Sequence, residues 1–485
     1  MCKKISCIFL LLMILFEQLG SVPLSAVATK SFDPAAVDEY VTNYIDKNGL
    51  PGAAVVIVKD GKVLYEKGYG HDSNGTPLTA KSKIGLASGT KPFTAFAVLQ
   101  LVERGEIKLD EPVVTYLPEL TLNDERWKQV TVRQLLSHTS GLPNPTIVGP
   151  ASTSKEGVER FHDWQLQSDP GEKYAYSNSN YWTLAYLVEQ ISGMTFHDYL
   201  TQNVFQPLGM NDSISAVNSG DIVGKLGIPR GYVTLLGTAM PWTELEQMFS
   251  GAGSIFTTAS DMGKWLSMHT NGGINEKGDR LLSEALLKES YSPQPGSEKY
   301  GLGWSLSSPT IKPARISHSG SLSTFQSQQD IVPSSGYAVA VLLNSFTTTL
   351  EHSYEISSGI IQLTEGQEPE LKASAPKIID FILGGVTLIY LILGIRGIVR
   401  SKKWVDKRKQ HPAWRFYLRL IPQLIPVIGV GWLLFIVPTL ENNSSTIKDA
   451  FGLFPSAMIL LVIAFIIGCV LTIMRVYYRI KLNKK

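Results

Sequence analysis

The stretch from Ile84 to Ala95 contains a serine and a lysine that could act together as a nucleophile and its base. Ser88 and Lys91 are three positions apart, and residues at that spacing are neighbours on a helix surface. A serine hydroxyl is a weak nucleophile unless a neighbouring group takes its proton. A lysine amine can take that proton only if burial or nearby positive charge lowers its pKa from about 10.4. The spacing therefore predicts an activated serine, provided that the fold buries Lys91.

The Ser-x-x-Lys pattern is not specific by itself, because the same sequence contains three further matches. These are Ser152/Lys155, Ser374/Lys377 and Ser445/Lys448. The second falls in a polar, proline-bearing stretch, the third lies between two apolar runs, and the first has no apolar helix behind it. Only Ser88 precedes a long apolar run, at residues 93–102, and it is predicted to open an amphipathic helix there.

Two further stretches carry side chains that could assist a serine nucleophile. Tyr176 and Asn178 follow a Pro-Gly turn; a phenol can relay a proton if nearby cations lower its pKa from about 10, and an amide both donates and accepts. His318 lies on a predicted strand, where Gly320 allows close backbone approach and a backbone N–H could complete an oxyanion hole. Each pattern alone also fits a structural role. Tyr176 and Asn178 could belong to a capped helix start with a packed tyrosine, and His318 could be a structural histidine at the end of a strand.

Composition narrows the function classes. The 485 residues are too many for one ordinary domain of roughly 100–200 residues, and the net charge of +2 does not suggest a nucleic-acid-binding surface. The cysteines, Cys2, Cys7 and Cys469, lie in apolar end segments. The middle of the chain is therefore expected to contain no disulfide, no Cys/His zinc site and no catalytic cysteine.

The order of predicted elements indicates an α+β fold with an antiparallel sheet and a helical insert. A helix at 31–49 precedes strands at 51–58 and 63–69, which the turn at Asp60-Gly61 joins as a hairpin. Residues 109–208 are predicted to be helical or irregular, and a helix at 261–268 is expected to be capped by Thr258 or Ser260. Strands are then predicted at 301–305, 316–319, 325–331 and 337–343.

Both ends of the chain carry signals for a membrane. Residues 1–28 have a basic start, a short apolar run and an Ala-x-Ala site, as a signal peptide does. The runs at 378–399, 420–440 and 454–474 are each about long enough to cross a bilayer. Basic segments follow the first and third runs but not the second, which predicts a cytoplasmic C-terminus. We therefore expect a multi-pass protein of the cell membrane. Its domain at 29–365 lies outside the cytoplasm, and a linker at 366–377 joins it to a membrane domain at 378–485.

Taken together, the motifs resemble those of the serine β-lactamase-related family, which includes class C β-lactamases, penicillin-binding proteins, D-aminopeptidases and esterases. The resemblance covers residues 31–363. It is carried by Ala87-Ser88-Gly89-Thr90-Lys91-Pro92-Phe93-Thr94, residues 135–143, Pro170-Gly171 with Tyr176-Ser177-Asn178, residues 207–210, 251–254, 257–261 and 300–304, and His318-Ser319-Gly320.

This resemblance implies a division of labour and an antiparallel sheet flanked by helices with an all-helical subdomain. Ser88 would be the acylated nucleophile, Lys91 its proton acceptor, and Tyr176 the general base and then the acid toward the leaving group. Asn178 would orient Lys91 and the substrate amide. The backbone N–H groups of Ser88 and Ser321, beside Gly320, would form the oxyanion hole, and no metal or cofactor is implied.

The sequence departs from the family at one motif position. His318 stands where β-lactamases have the lysine of a Lys-Thr-Gly element, and a neutral imidazole binds an anion less well than an ammonium group does. The departure favours ester, amide or D-peptide substrates, including small molecules or peptides from the cell wall, over efficient β-lactam hydrolysis. The alternative is a catalytically idle module that binds or senses wall peptides. His138 is expected to be structural.

Overall fold

The computed structural model describes residues 32–145, 149–347, 351–371, 375–432 and 447–483. The predicted signal peptide at 1–28 lies outside the described residues. In chain order the strands are β1 Gly52–Lys59, β2 Lys62–Gly70, β3 Ile84–Gly85, β4 Ile214–Ser215, β5 Gly231–Leu235, β6 Thr238–Trp242, β7 Ile255–Thr257, β8 Ser305–Leu306, β9 Ile316–Ser321, β10 Gln326–Val332, β11 Tyr337–Leu343 and β12 Ser345–Phe346.

The α-helices alternate with these strands and then fill the C-terminal part of the chain. They are α1 Pro34–Asn48, α2 Lys91–Glu103, α3 Val132–Leu136, α4 Ser154–Glu159, α5 Asn178–Ser192, α6 Phe196–Leu200, α7 Gln206–Leu208, α8 Asp221–Gly224, α9 Ala259–Thr270, α10 Glu284–Ser290, α11 His352–Thr364, α12 Ala375–Val399, α13 Ser401–Asp406, α14 Ala413–Leu418, α15 Ile421–Gly431, α16 Ile447–Leu453 and α17 Pro455–Asn483.

A six-stranded antiparallel sheet, ordered β2-β1-β11-β10-β9-β8, forms the centre of the domain. Its first hairpin turns at Asp60 and Gly61, whose φ angles of 48° and 77° are left-handed, as a two-residue turn between twisted strands requires. Helices α1 and α11 pack on one face and α9 on the other, so both faces of β1 are buried. The predicted α+β class and antiparallel sheet are confirmed.

The helix after Ser88 differs from its prediction. A single 3-10 turn, Ala87–Thr90, holds the serine, and α2 begins only at Lys91. Every residue from 91 to 101 is buried, including Thr94 and Gln100, so α2 is a central helix and not an amphipathic surface helix. Helices that are apolar on all sides are typical of a core.

The strand predicted at 301–305 is largely wrong, and only Ser305 belongs to a strand. Gly303 adopts a φ of +87°, which interrupts extended backbone and brings this segment against α2. By contrast, the prediction of β11 at 337–343 matches the structure residue for residue. Thr258 caps α9 by accepting a hydrogen bond from the Asp261 N–H.

Two C-terminal helices are long and apolar enough to cross a bilayer, Lys377–Val399 and Pro455–Leu482. They correspond to the first and third predicted runs. The second run is described as the short helix α15, and residues 433–440 lie outside the described residues, so two spans and not three are found in the described chain. Helix α12 begins at Ala375, inside the predicted linker.

Trp265 of α9 joins three elements in the core. Its ring stacks on Phe93 of α2 with centroids 3.8 Å apart, and its Nε1 donates to Gln329 Oε1 of β10 at 3.0 Å. Because Trp265→Ala would leave a large cavity, we expect the free energy of unfolding to fall by about 3–5 kcal/mol. Denaturant unfolding of the purified full chain in detergent, followed by near-ultraviolet circular dichroism, measures this. The exposed control Leu64→Ala should change it by less than about 0.5 kcal/mol; equal losses would contradict the expectation.

Candidate active site

Ser88 lies in a strained turn between β3 and α2. Ala87 has a φ of +50°, a left-handed conformation that residues with a Cβ rarely adopt and that costs on the order of 1–3 kcal/mol. The turn is tied to the domain because the Leu86 N–H donates to the Ile255 carbonyl at 2.8 Å. Ser88 itself is partly exposed at the bottom of a cleft of about 240 Å³. The strain thus presents the hydroxyl to the cleft from a buried backbone.

Lys91 is fully buried directly behind Ser88. Its Nζ lies 3.0 Å from Ser88 Oγ and donates to Asn178 Oδ1 and the Ala252 carbonyl oxygen, both at 2.9 Å. Burial lowers the pKa of Lys91 well below its usual value of 10.5. An uncharged amine has two N–H bonds, which these two oxygens accept, and one lone pair, which is left for the Ser88 O–H. The geometry is that of a neutral base beside a nucleophile.

Tyr176 approaches Ser88 from the other side. Its hydroxyl donates to Ser88 Oγ at 2.8 Å, and Lys91 Nζ lies 4.9 Å from the centroid of its ring. Burial raises the pKa of Tyr176 above its usual value, although its hydrogen bond with Ser88 opposes the shift. The sequence argument made proton relay by Tyr176 conditional on nearby cations that lower this pKa; the pKa is raised instead, and the neighbouring lysine is itself desolvated. Tyr176 is therefore a protonated phenol that can donate.

Asn178 is placed by the start of α5. The Ser177 side chain caps this helix by accepting from the Ser179 N–H, and the Asn178 N–H donates to Asn144 Oδ1 at 2.9 Å. These contacts hold the Asn178 side chain where its Oδ1 meets Lys91. The helix start therefore positions Asn178 beside the lysine, and Tyr176 two residues earlier beside the serine.

Strands β9 and β10 support the turn that carries Ser88. Ser327 Oγ donates to the Leu86 carbonyl at 2.6 Å, and Gln329 Nε2 donates to the Gly89 carbonyl at 2.8 Å. Gly320 of β9 touches the same turn, since a Cβ at this position would overlap the Leu86 carbonyl oxygen. Ser321, the next residue, is exposed and lines the cleft together with Ser88.

His318 is a buried residue of β9 and does not line the cleft. Its Nδ1 lies 2.7 Å from the Ser319 carbonyl oxygen, to which it can only donate, so Nε2 accepts from the Tyr300 hydroxyl at 2.8 Å. Burial is the largest cause that lowers the pKa of His318 to about 3. The imidazole is therefore neutral and its two nitrogens are occupied by protein groups.

Comparison with known proteins places this arrangement in a family. Residues 37–357 match the Beta-lactamase family. The chain belongs to that family. The match confirms the resemblance that the motifs around Ser88, Tyr176 and His318 indicated.

Three proteins illustrate what this chain is similar to. Protein flp of Staphylococcus aureus strain N315 is 27% identical over 319 residues, which is 64% of this chain and 62% of that protein, so the match spans less than two thirds of its length. Penicillin-binding protein 4 of Amycolatopsis lactamdurans is 28% identical over 337 residues, covering 66% of this chain and 87% of that protein. The octameric penicillin-binding protein homologue from Pyrococcus abyssi superposes with a TM-score of 0.58 at 26% identity, covering 70% of this chain and 78% of that one.

His138, the other histidine near the site, lies behind Tyr176. Its Nδ1 accepts from the Ser177 N–H at 3.2 Å and lies 2.9 Å from Asn180 Nδ2. Its ring centroid is 4.5 Å from that of Tyr176. Burial is the main cause that lowers the pKa of His138 well below its usual value. These contacts describe a neutral ring that packs under the phenol and fixes the start of α5.

Glu244 is a residue near the site that the sequence argument missed. Its carboxylate is buried and accepts from the Ser323 N–H at 3.0 Å, the Ser323 hydroxyl at 2.5 Å and the Thr324 hydroxyl at 2.7 Å. Burial raises the pKa of Glu244, and these hydrogen bonds oppose the shift. The carboxylate thereby holds the loop that follows Ser321. The only sequence signal was a pair of alternating glutamates, Glu244 and Glu246, in a mostly uncharged stretch.

Replacing the lysine tests its role as the base. Arginine stays protonated in proteins, so Lys91→Arg keeps a cation near Ser88 but removes the proton acceptor. We expect the rate of Ser88 labelling by a fluorophosphonate to fall about 10²–10⁴-fold. The matched control is Lys155→Arg, an exposed lysine of an accidental Ser-x-x-Lys pair, and it should label at the wild-type rate. Labelling of Lys91→Arg within tenfold of wild type would show that another group takes the proton.

The contact between Gly320 and the serine turn gives a second prediction. In Gly320→Ala the new methyl must push β9 away from Leu86, which displaces Ser321 from Ser88. We expect the labelling rate to fall about 10²-fold, as when one oxyanion donor is lost. Gly224→Ala is the matched control, because nothing lies within 4 Å of a Cβ there. If Gly320→Ala labels as fast as this control, β9 does not set the geometry at Ser88.

Proposed function

We propose that the protein is a serine hydrolase that cleaves ester or amide substrates through an acyl-enzyme. The observation that carries the proposal is that Ser88 Oγ lies within hydrogen-bond distance of both Lys91 Nζ and Tyr176 Oη. A nucleophile between a neutral amine and a protonated phenol has one group to take its proton and another to supply one. Membership of the Beta-lactamase family supports the same reaction class.

The proposed acylation step follows from these contacts. Lys91 takes the Ser88 proton as Oγ bonds to the substrate carbonyl carbon. The N–H groups of Ser88 and Ser321 stabilise the oxyanion that forms. As the intermediate collapses, the bond to the leaving group breaks, Tyr176 gives its proton to the departing oxygen or nitrogen, and Lys91 returns a proton to Tyr176. Water then attacks the acyl-enzyme by the reverse sequence and releases the acid product.

The proposed substrates are neutral at the position where β-lactamases recognise a carboxylate. His318 is uncharged and its nitrogens are bonded to Tyr300 and Ser319, so it offers no cation to an anionic group. The described residues that line the cleft carry no charged side chain. Esters and D-amino-acid amides, including wall-derived ones, therefore suit the cleft better than β-lactams do.

The site is proposed to act outside the cell, held at the membrane by its C-terminal helices. Helices α12 and α17 both begin beside the catalytic domain and both end at basic residues, among them Arg400 and Lys402 for α12 and Arg479 and Lys481 for α17. Arg479 donates to the Arg408 carbonyl, so the two basic ends lie together. Basic ends are retained in the cytoplasm, which leaves the domain on the opposite face. The loop at 441–446 lies outside the described residues.

Labelling and turnover of the full chain in detergent test the proposed function. A fluorescent fluorophosphonate and a fluorescent penicillin report acylation. A panel of nitrocefin, p-nitrophenyl esters, D-Ala-D-Ala peptides and D-amino-acid amides reports turnover. We expect ester or D-amino-acid amide hydrolysis to exceed that of nitrocefin, to vanish in Ser88→Ala and to persist in the control Ser152→Ala. Wild-type protein that neither labels nor turns over any substrate would favour the idle wall-peptide sensor instead.

A further inference from the structure

The hairpin of β5 and β6 connects the catalytic domain to the first turns of the membrane helices. The Leu236 N–H donates to Ser456 Oγ of α17 at 2.9 Å, and the Gly237 N–H donates to the Asp380 carboxylate of α12. Gly237 has a φ of +84°, and a Cβ there would lie 2.6 Å from the Phe381 ring. The hairpin tip is therefore fitted closely between the two helices, whose starts form part of the domain surface.

An apolar cavity of about 100 Å³ lies under this hairpin. Its walls come from the hairpin, from β12 and from the starts of α12 and α17, and include Val233, Ile379, Leu383, Phe454 and Pro455. Of the polar residues that line it, Asp380 and Ser456 accept hydrogen bonds from the hairpin backbone, and Thr234 Oγ1 lies 3.4 Å from Thr347 Oγ1. What the cavity offers to a ligand is therefore mainly hydrocarbon surface.

The same cavity adjoins the cleft of Ser88. Phe346 of β12 and Leu453 of α16 line both spaces. Leu453 and its neighbour Gly452 belong to the segment that leads into α17, and Gly452 packs against Leu245, another cleft residue. The C-terminal part of the chain thus supplies one wall of the catalytic cleft and is more than an anchor.

Apolar side chains line the cleft between Ser88 and the two shared residues, Phe346 and Leu453. The cleft residues of this kind are Trp182, Leu245, Met248, Phe249, Leu322, Phe346 and Leu453. An alkyl chain that began at Ser88 could follow this surface and end where α12 and α17 begin. Those helices are of bilayer length, so the far end of the path opens where amphiphilic molecules collect at a membrane surface.

We propose that the substrate is an amphiphile whose alkyl chain runs from Ser88 past Leu453 into the cavity beneath the β5–β6 hairpin. This inference rests on the proposed serine hydrolase function and names its substrate class, an ester or amide that carries a hydrocarbon chain. Each methylene that leaves water entirely can raise kcat/KM by up to about fourfold. Phe346 and Leu453, which line both spaces, should therefore determine the selectivity for chain length.

The experiment compares two series of substrates on the full chain in nanodiscs. p-Nitrophenyl alkanoates from acetate to decanoate place the chain on the acyl side, and 4-alkylphenyl acetates place it on the leaving-group side. We expect kcat/KM to rise at least about tenfold with chain length in one series. Leu453→Trp, which fills the junction between the two spaces, should reduce that ratio at least fivefold by the same argument.

The control variant separates chain binding from partition of long substrates into the bilayer. Leu388→Trp places the same ring on an exposed face of α12 and lines neither space, so it should keep the wild-type ratio. Fluorophosphonate labelling of Ser88 reports whether each variant is folded. If Leu453→Trp does not label, Leu383→Trp, at the far end of the cavity, is used in its place with the same expected loss of selectivity.

The outcomes distinguish the two proposals. Short esters hydrolysed by wild type and not by Ser88→Ala, with kcat/KM flat or falling along both series, would overturn the alkyl-chain inference and leave the hydrolase standing. An equal loss of selectivity in Leu453→Trp and Leu388→Trp would also overturn it. No Ser88-dependent turnover of any ester would overturn the hydrolase, and the inference with it.

Discussion

The burial of one amine, that of Lys91, is the constraint on which the candidate active site depends. Lys91 is placed where water does not reach it, at the start of a helix that is itself surrounded by the core. An ammonium group there would need three acceptors and compensation for lost hydration, whereas a neutral amine needs only the two oxygens of Asn178 and Ala252. The fold thereby favours the form of lysine that can accept a proton.

Several elements together exclude water from the amine of Lys91 while the hydroxyl of Ser88 stays accessible from the cleft. Helix α5 brings Asn178, the segment at 251–253 brings a carbonyl oxygen, and β9 covers the turn so closely that Gly320 has no room for a side chain. The strained φ of Ala87 lifts Ser88 out of this packing toward the cleft. Strain held by well-packed surroundings is common at catalytic sites.

Sequence reasoning predicted those parts of the molecule that local patterns determine. The β11 strand follows from a short run of apolar and β-branched residues, and the first hairpin follows from the Asp60-Gly61 turn; both signals act over a few positions. The motif order predicted that Ser88, Lys91, Tyr176 and Asn178 lie together, and the structure links them in a chain of hydrogen bonds from Tyr176 through Ser88 and Lys91 to Asn178. Their roles in catalysis remain proposals that labelling experiments test.

The misses involve interactions between distant segments. Lys91 is buried against Ala252, a residue 161 positions away, so it provides no cation that would lower the pKa of Tyr176. Gly303 packs on α2, and a turn forms there where a strand was predicted. Glu244 gave no motif because its partners, Ser323 and Thr324, lie 79 and 80 positions away in the loop between β9 and β10. Apolar length also predicted three spans; the described residues contain two helices of bilayer length, and residues 433–440 of the second predicted run lie outside them.

The pH dependence of Ser88 acylation tests the central claim most directly. If the buried amine of Lys91 is the base, the second-order rate of fluorophosphonate labelling follows the neutral fraction of that amine. Because burial lowers the pKa of Lys91, the rate should rise with pH through this lowered value and be flat well before pH 10.4, the ordinary pKa of lysine. A rate that keeps rising to a midpoint near 10.4 would contradict the account, since it would mean that Lys91 titrates as an exposed lysine does.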